Sequence, residues 1–391
     1  MSAHAFVVAA TEQRRTRAAA LLDAEPAIAD DPWARLVLGR GWDGDVTAPG
    51  GPRGWAPLLY VTHSCFASAG LARELLERGA DPDAAFENEY GSMSALYGAA
   101  GRLHDPALTR LLLEAGAHPD DGESLYHATE AESPECLQLL LDHGAQPRGT
   151  NAIAHALDDE REPHVRALLA AGADPNEGAL LAHAVRRGRG PAILRLLAEH
   201  GARLDEPGGE TWRGAVPLRT PYQHAVLRGR EDSAQVLAAL GASTVVAPED
   251  LAVAAVARGE TAPLPEHLDP DAQEVLVLAA LRGRLDAVLA AVGPGFRGVV
   301  GGSPEGTLLH HAAWVGDPAV VERLLAAGAD PLAGTPETPL AWAVHGSQYW
   351  ELPGRDFVGV AQRLAAAGAP VEPRFAEAAE GPLHAWLANA A

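Results

Sequence analysis

The sequence predicts an all-α protein built from repeated helix–turn–helix units, and three observations carry that prediction. An apolar string ending in glycine, LLERGADPD (75–83), returns as LLEAGAHPD (112–120), LLDHGAQPR (140–148), LLAAGADPN (168–176), LLAEHGARLD (196–205) and LLAAGADPL (324–332). Weaker copies read LAALGAS (237–243) and LAAAGAP (364–370). A second string precedes most of these by a nearly constant interval: SALYGAA, ESLYHAT, NAIAHAL, ALLAHAV, TPYQHAV, TLLHHAA and TPLAWAV. Finally, each glycine of the first string closes an apolar run, where a left-handed residue ends a helix without Cβ strain. The unit is therefore a helix, a short turn, a second helix and a loop. Small residues in the first helix let neighbours approach closely, and a Thr, Ser or Asn at its start supplies an N-cap.

Composition narrows the class of function. The 391 residues are 47% hydrophobic, enough for a large core, and carry a formal charge of −22, with 30 basic residues that are all arginine. That balance argues against nucleic acid as the main ligand. With only Cys65 and Cys136, neither a disulfide framework nor a cysteine-rich zinc site can form, and a reduced, cytoplasmic setting is expected. The N-terminal apolar patch is too short for a signal sequence and precedes its arginines rather than following them. No apolar run approaches the length of a membrane span.

In chain order, residues 1–48 are expected to form an N-terminal helical cap of three short helices: AFVVAA, TRAAALLDAEPAIA and PWARLVLG. TAPGGPRGW (47–55) is a turn-rich connection. Residues 49–391 are expected to be repeats continuous with the cap. The units are weakest near 248–293, where PEDLAVAAVARGE and AQEVLVLAALRGRLDAVLAAVG are separated by APLPEHLDP. The terminal GPLHAWLANAA is expected to be a last first helix without a partner.

The two strings together resemble the ankyrin repeat, whose T-P-L-H-x-A-A and L-L-x-x-G-A-D signature is matched best from Thr307 to Pro331. The resemblance spans roughly residues 56–388 and implies an ankyrin-repeat α-solenoid whose first helices line a concave groove. Gly116, Gly144 and Gly172 follow one another at intervals of 28 residues, short of the roughly 33 of an ankyrin unit. The missing residues fall where ankyrin proteins carry a projecting hairpin, so the central repeats, in a short-repeat block at 94–232, should have shortened hairpin loops. Similarity to bacterial ankyrin-repeat proteins implies a fold but only a general class of function.

At the ankyrin signature position, His310 is expected to bond the neighbouring loop. The adjacent variable position holds His127, His155, His183, His224 and His311, and Trp342 in the unit after that. Residues three and four further on share their helix face: Glu130, Asp158 and Asp159, Arg186 and Arg187, Arg228, and Trp314. Three readings of this column stand. The first makes the imidazoles half-buried loop anchors; the second makes them the floor of a partner-binding groove that passes from acidic to basic; the third makes His127/Glu130 or His155/Asp158 an oriented acid/base pair. Stacked helices lie about 8–10 Å apart, too far for three successive repeats to share one metal at about 2 Å per ligand.

Other chemical signals are thin. His63 and Cys65 lie two apart, where helical side chains diverge. GGPRGW (50–55) and VGPGFRGVVGGSPEG (292–306) lack a nucleotide-binding pattern. Trp314, Trp342, Trp350 and Trp386 gather toward the C-terminus and suggest an apolar patch. The function expected is a non-enzymatic scaffold, a monomer without metal or cofactor, that holds a protein or peptide partner. The alternative is a small-molecule receptor or enzyme working through one of the two His/carboxylate pairs.

Overall fold

The computed structural model describes residues 2–209, 217–301, 303–334 and 337–390. Residues 210–216 of the short-repeat block and residue 302 of the glycine-rich stretch lie outside these. The chain packs as two compact units, Met1–Arg203 and Leu204–Ala391.

The first unit opens with helices Ser2–Thr11, Arg15–Ala24 and Pro32–Val37. Five helical pairs follow. Their first members are Pro57–Thr62, the π-helical Tyr97–Arg102, Ser124–His127, Ala152–Asp158 and Leu180–Arg186; their second members are Ala69–Glu77, Pro106–Glu114, Glu135–Asp142, Glu162–Ala170 and Pro191–Glu199. Local chemistry starts and stops them. Asp105 accepts from the amides of Ala107 and Leu108 to cap Pro106–Glu114, and its proline stands where no helical N–H is needed. At the other end Gly172 takes φ +93°. Its N–H donates to Leu169 O and that of Ala173 to Leu168 O, both at 3.0 Å. The alanine after each such glycine, Ala80, Ala117, Ala145, Ala173 and Ala202, turns into the core.

The last residue of the recurring string joins one repeat to the next. Asp83 Oδ1 accepts from His118 N, Asp120 Oδ1 from Gln146 N and Asn176 Oδ1 from Arg203 N, each at 2.7 Å. Loop length follows the glycine spacing. The interval from Gly79 to Gly116 accommodates an antiparallel hairpin, Ala85–Asn88 with Gly91–Ser94. Neither of the 28-residue intervals that follow contains a strand, so the shortened loops expected in the central repeats are present.

In the second unit, Pro221–Leu227 pairs with Glu231–Leu240, Leu308–Trp314 with Pro318–Ala326, and Pro339–Gly346 with Phe357–Ala366. Thr220 and Thr307 close full capping boxes with Gln223 and His310. A short hairpin joins Arg297–Gly298 to Gly306–Thr307. The stretch read as weak is formed but irregular. Pro248–Arg258 has no second helix of its own and packs on Pro270–Ala279 and Leu285–Val292, which flank a π-helical turn, Ala280–Arg284. At the C-terminus the expectation is corrected. Pro373–Ala378 packs on the first helix Pro339–Gly346, and Gly381–Ala390 packs on the second helix Phe357–Ala366. Residues 381–390 are thus the second helix of a final pair. Buried Phe375, Leu383 and Leu387 hold that pair to the core, and the proline and histidine of GPLHAWL imitate a first-helix start.

Candidate functional site

Within the first unit the first helices present a row of rings and carboxylates. His127 is 27% exposed, and both its ring nitrogens face acids: Nδ1 lies 2.8 Å from Glu130 Oε1 and Nε2 lies 3.3 Å from Glu123 Oε2. One repeat on, the His155 ring stacks on Tyr126 at 4.2 Å. Its Nδ1 meets Thr129 Oγ1 at 2.8 Å, and its Nε2 lies 3.9 Å from Glu130. Tyr97 and Tyr126 each set an edge or face against His127, at 5.2 and 5.0 Å. The row runs Tyr97, His127, Tyr126, His155, with Glu123 and Glu130 beside it. Burial raises both tyrosine hydroxyls above their ordinary range, with nearby carboxylates adding to the effect and Arg102 opposing it at Tyr97.

Asp158 does not serve His155. Its Oδ1 lies 2.8 Å from His183 Nε2 in the following repeat and accepts from Arg187 Nε at 2.7 Å. The His155/Asp158 acid/base pair is therefore corrected: a carboxylate in the last turn of a short helix leans toward the next repeat, where a guanidinium and an imidazole await it. Burial lowers the His183 pKa, and Asp158 only partly opposes this. Asp159 is exposed and Arg186 half-buried. Since Asp158 binds Arg187, the acidic and basic stretches interlock rather than following one another.

Three members of the column are core residues in the second unit. His224 is fully buried, with Nε2 2.8 Å from Gly208 O. His311 is 4% exposed, with Nε2 2.9 Å from Gly298 O, and Trp342 is also 4% exposed. As partner contacts all three are corrected: the loop and the hairpin that cover them make each imidazole an anchor for a backbone carbonyl. His310 anchors the loop expected of it, with Nε2 2.7 Å from Glu337 O. Arg228 is 9% exposed and binds Asp271 and Glu274, each at 3.1 Å. Trp314 remains half-buried, and with Trp342, Glu337, His345 and Gln348 it lines a cavity of about 550 Å³.

Sequence reasoning missed Glu123, Tyr126, Tyr97 and Thr129. Glu123 was detectable one turn before His127; Tyr126 was not, because a residue adjacent in sequence reaches the next repeat only through stacking. His63 is fully buried under Trp55, Phe86 and Tyr97, and burial, with the charges of Arg102 and Arg53, pushes its pKa down to about 3. No cluster of potential metal ligands occurs among the described residues. No described helix is long and apolar enough to cross a membrane.

Residues 96–179 match a family model described as ankyrin repeats in three copies, and residues 306–336 match one described as a single ankyrin repeat. No curated protein matches the chain. Among solved structures, the chain is similar to the ankyrin repeat domain of Bcl-3, at 25% identity and TM-score 0.37, over 45% of this chain and 82% of that one. An ankyrin repeat domain from Acinetobacter baumannii AYE is similar at 26% identity and TM-score 0.38, over 45% and 93%. The human ASB11 ankyrin repeat domain is similar at 21% identity and TM-score 0.26, over 63% and 98%.

Proposed function

We propose that this chain, which carries ankyrin repeats in both of its compact units, is a non-enzymatic binding protein that holds a protein or peptide partner on the first-helix face of its first unit. The row Tyr97, His127, Tyr126, His155 with Glu123 and Glu130 is the observation that carries this reading. Half-exposed rings give rigid contact area at little entropic cost, and carboxylates beside them favour a partner segment bearing Arg or Lys. Affinity in such an array comes from many preorganised contacts spread over successive repeats.

The geometry at His127 favours binding over catalysis. A general base needs one ring nitrogen aimed at the proton it removes, whereas both nitrogens of His127 are turned to carboxylates. The test is a pull-down with wild type and with the His127→Ala/His155→Ala variant, analysed for proteins and small molecules together. A protein retained by wild type and lost with the variant supports the reading. A bound metabolite without any protein would overturn it in favour of a receptor or enzyme.

A further inference from the structure

An Arg-Gly-Arg string recurs in the turns between paired helices: Arg187-Gly188-Arg189, Arg228-Gly229-Arg230 and Arg282-Gly283-Arg284. A left-handed glycine reverses the chain in each, with φ of +78°, +65° and +92°, and leaves a guanidinium on either side. In the first unit this turn is paired. Arg187 binds Asp158 at 2.7 Å and Arg189 binds Glu160 at 3.3 Å. In the second unit the other two turns line a single cavity of about 250 Å³, with all four arginines on its wall beside apolar Val275 and Leu278.

Pairing around that cavity is incomplete. Arg228 is held by Asp271 and Glu274, yet its buried Nε has no acceptor. Arg282 and Arg284 are exposed and make no hydrogen bond or ion pair among the described residues. Asp286, two residues after Arg284, binds Arg323 at 2.5 Å, and Glu260, next to Gly259, binds Arg258 at 2.9 Å. The stem of Arg284 crosses Gly259, where a Cβ would come within 3.3 Å of its Cδ. In a chain with 52 carboxylates and a formal charge of −22, Coulomb attraction would ordinarily place an acid against such a pair. Arg282 and Arg284 thus bring to this cavity two guanidiniums that no acid among the described residues neutralises, a local charge that favours an anion.

We propose that this cavity binds the phosphate of a small phosphomonoester. A phosphoryl group offers three acceptor oxygens to guanidinium forks approaching from two turns, which a carboxylate cannot match. Val275 and Leu278 contact the ester's apolar body. The site shares no residue with the partner-binding face, so either can fail alone.

The experiment is a titration of the full chain at low ionic strength with phenyl phosphate, inorganic phosphate and benzoate, followed by calorimetry. Phenyl phosphate is expected to saturate one site and to bind more tightly than the other two. Arg282→Ala/Arg284→Ala should weaken it by about tenfold or more without lowering the melting temperature, because both side chains are exposed. Arg282→Lys/Arg284→Lys, which retains charge but loses the fork, should fall between. Equal affinity for phenyl phosphate and inorganic phosphate would overturn the ester assignment. Absence of saturation, or binding indifferent to the double alanine variant, would overturn the site itself.

Discussion

Asp158 Oδ1 lies 2.8 Å from Nε2 of His183, a residue of the next repeat. Burial lowers the His183 pKa and the Asp158 carboxylate counteracts part of that shift. Asp158→Asn removes the opposing charge, so the His183 imidazole should titrate at still lower pH than in wild type. NMR of the ring protons checks this; an unchanged or raised midpoint would break the proposed pairing.

Gly98→Ala should destabilise the first unit by about 1–3 kcal/mol, the usual cost of overpacking a core. An added Cβ would stand 2.7 Å from the His63 ring and 2.7 Å from Thr62 O, and the backbone oxygen cannot move aside. Thermal unfolding measures the loss. A wild-type melting temperature would mean that the two helices stand further apart than these contacts require.

Gly172→Val probes the helix stop rather than the packing. Nothing lies within 4 Å of a Cβ built there, but φ is +93°, a region costly for a β-branched residue. A loss of about 1 kcal/mol or more is expected in denaturant unfolding. A variant as stable as wild type would remove the left-handed assignment on which the repeat boundary rests.

The repeat boundaries were legible because they rest on local chemistry: the glycine that must turn left-handed, the alanine that follows it inward, and the threonine that caps the next helix at Thr220, Thr307 and Thr338, although Asn151, expected to cap likewise, makes no such bond. Which histidines face solvent was not. His155 and His224 occupy equivalent positions in NAIAHAL and TPYQHAV, yet His155 is half-buried and His224 fully buried. The difference lies in the Gly208–Arg219 bridge, whose carbonyl at Gly208 takes the imidazole, and no repeat pattern encodes that loop. Glycine spacing foretold the shortened central loops. It could not show that Asp158 turns forward to His183, since both neighbouring repeats offer a histidine.

Arg219→Met should cost about 3–5 kcal/mol, the usual price of stranding buried charge. The guanidinium, 6% exposed, binds Asp250 at 2.8 Å and Asp269 at 2.6 Å, and also engages Asp250 through Nε at 2.9 Å. Burial pushes the Asp269 pKa up, and the bonds and charge of Arg219, together with the amides of Ala272 and Asp271, more than reverse this. Without the arginine, the carboxylates of the single helix Pro248–Arg258 and its neighbour would repel one another. Melting of the variant checks the size of the loss; a drop no larger than that of an exposed Arg→Met change would show the network to be dispensable.

His63 gives the protein a pH dependence of definite sign. Its pKa is pushed down from 6.5 to about 3, chiefly by burial, so between those values the unfolded chain holds a proton that the folded chain does not. The stability it contributes is complete above pH 6.5 and is lost as pH falls toward 3, at about 1.4 kcal/mol per pH unit. Carboxylates titrate over part of that range, so the useful quantity is the difference between wild type and His63→Gln. Glutamine does not titrate, so whatever advantage wild type holds at pH 7 should shrink on going to pH 5. Unfolding free energies at pH 7, 6 and 5 decide the matter. A gap that stays constant would mean that His63 is reached by water and protonated in the folded state, and the aromatic box of Trp55, Phe86 and Tyr97 would then be open rather than closed.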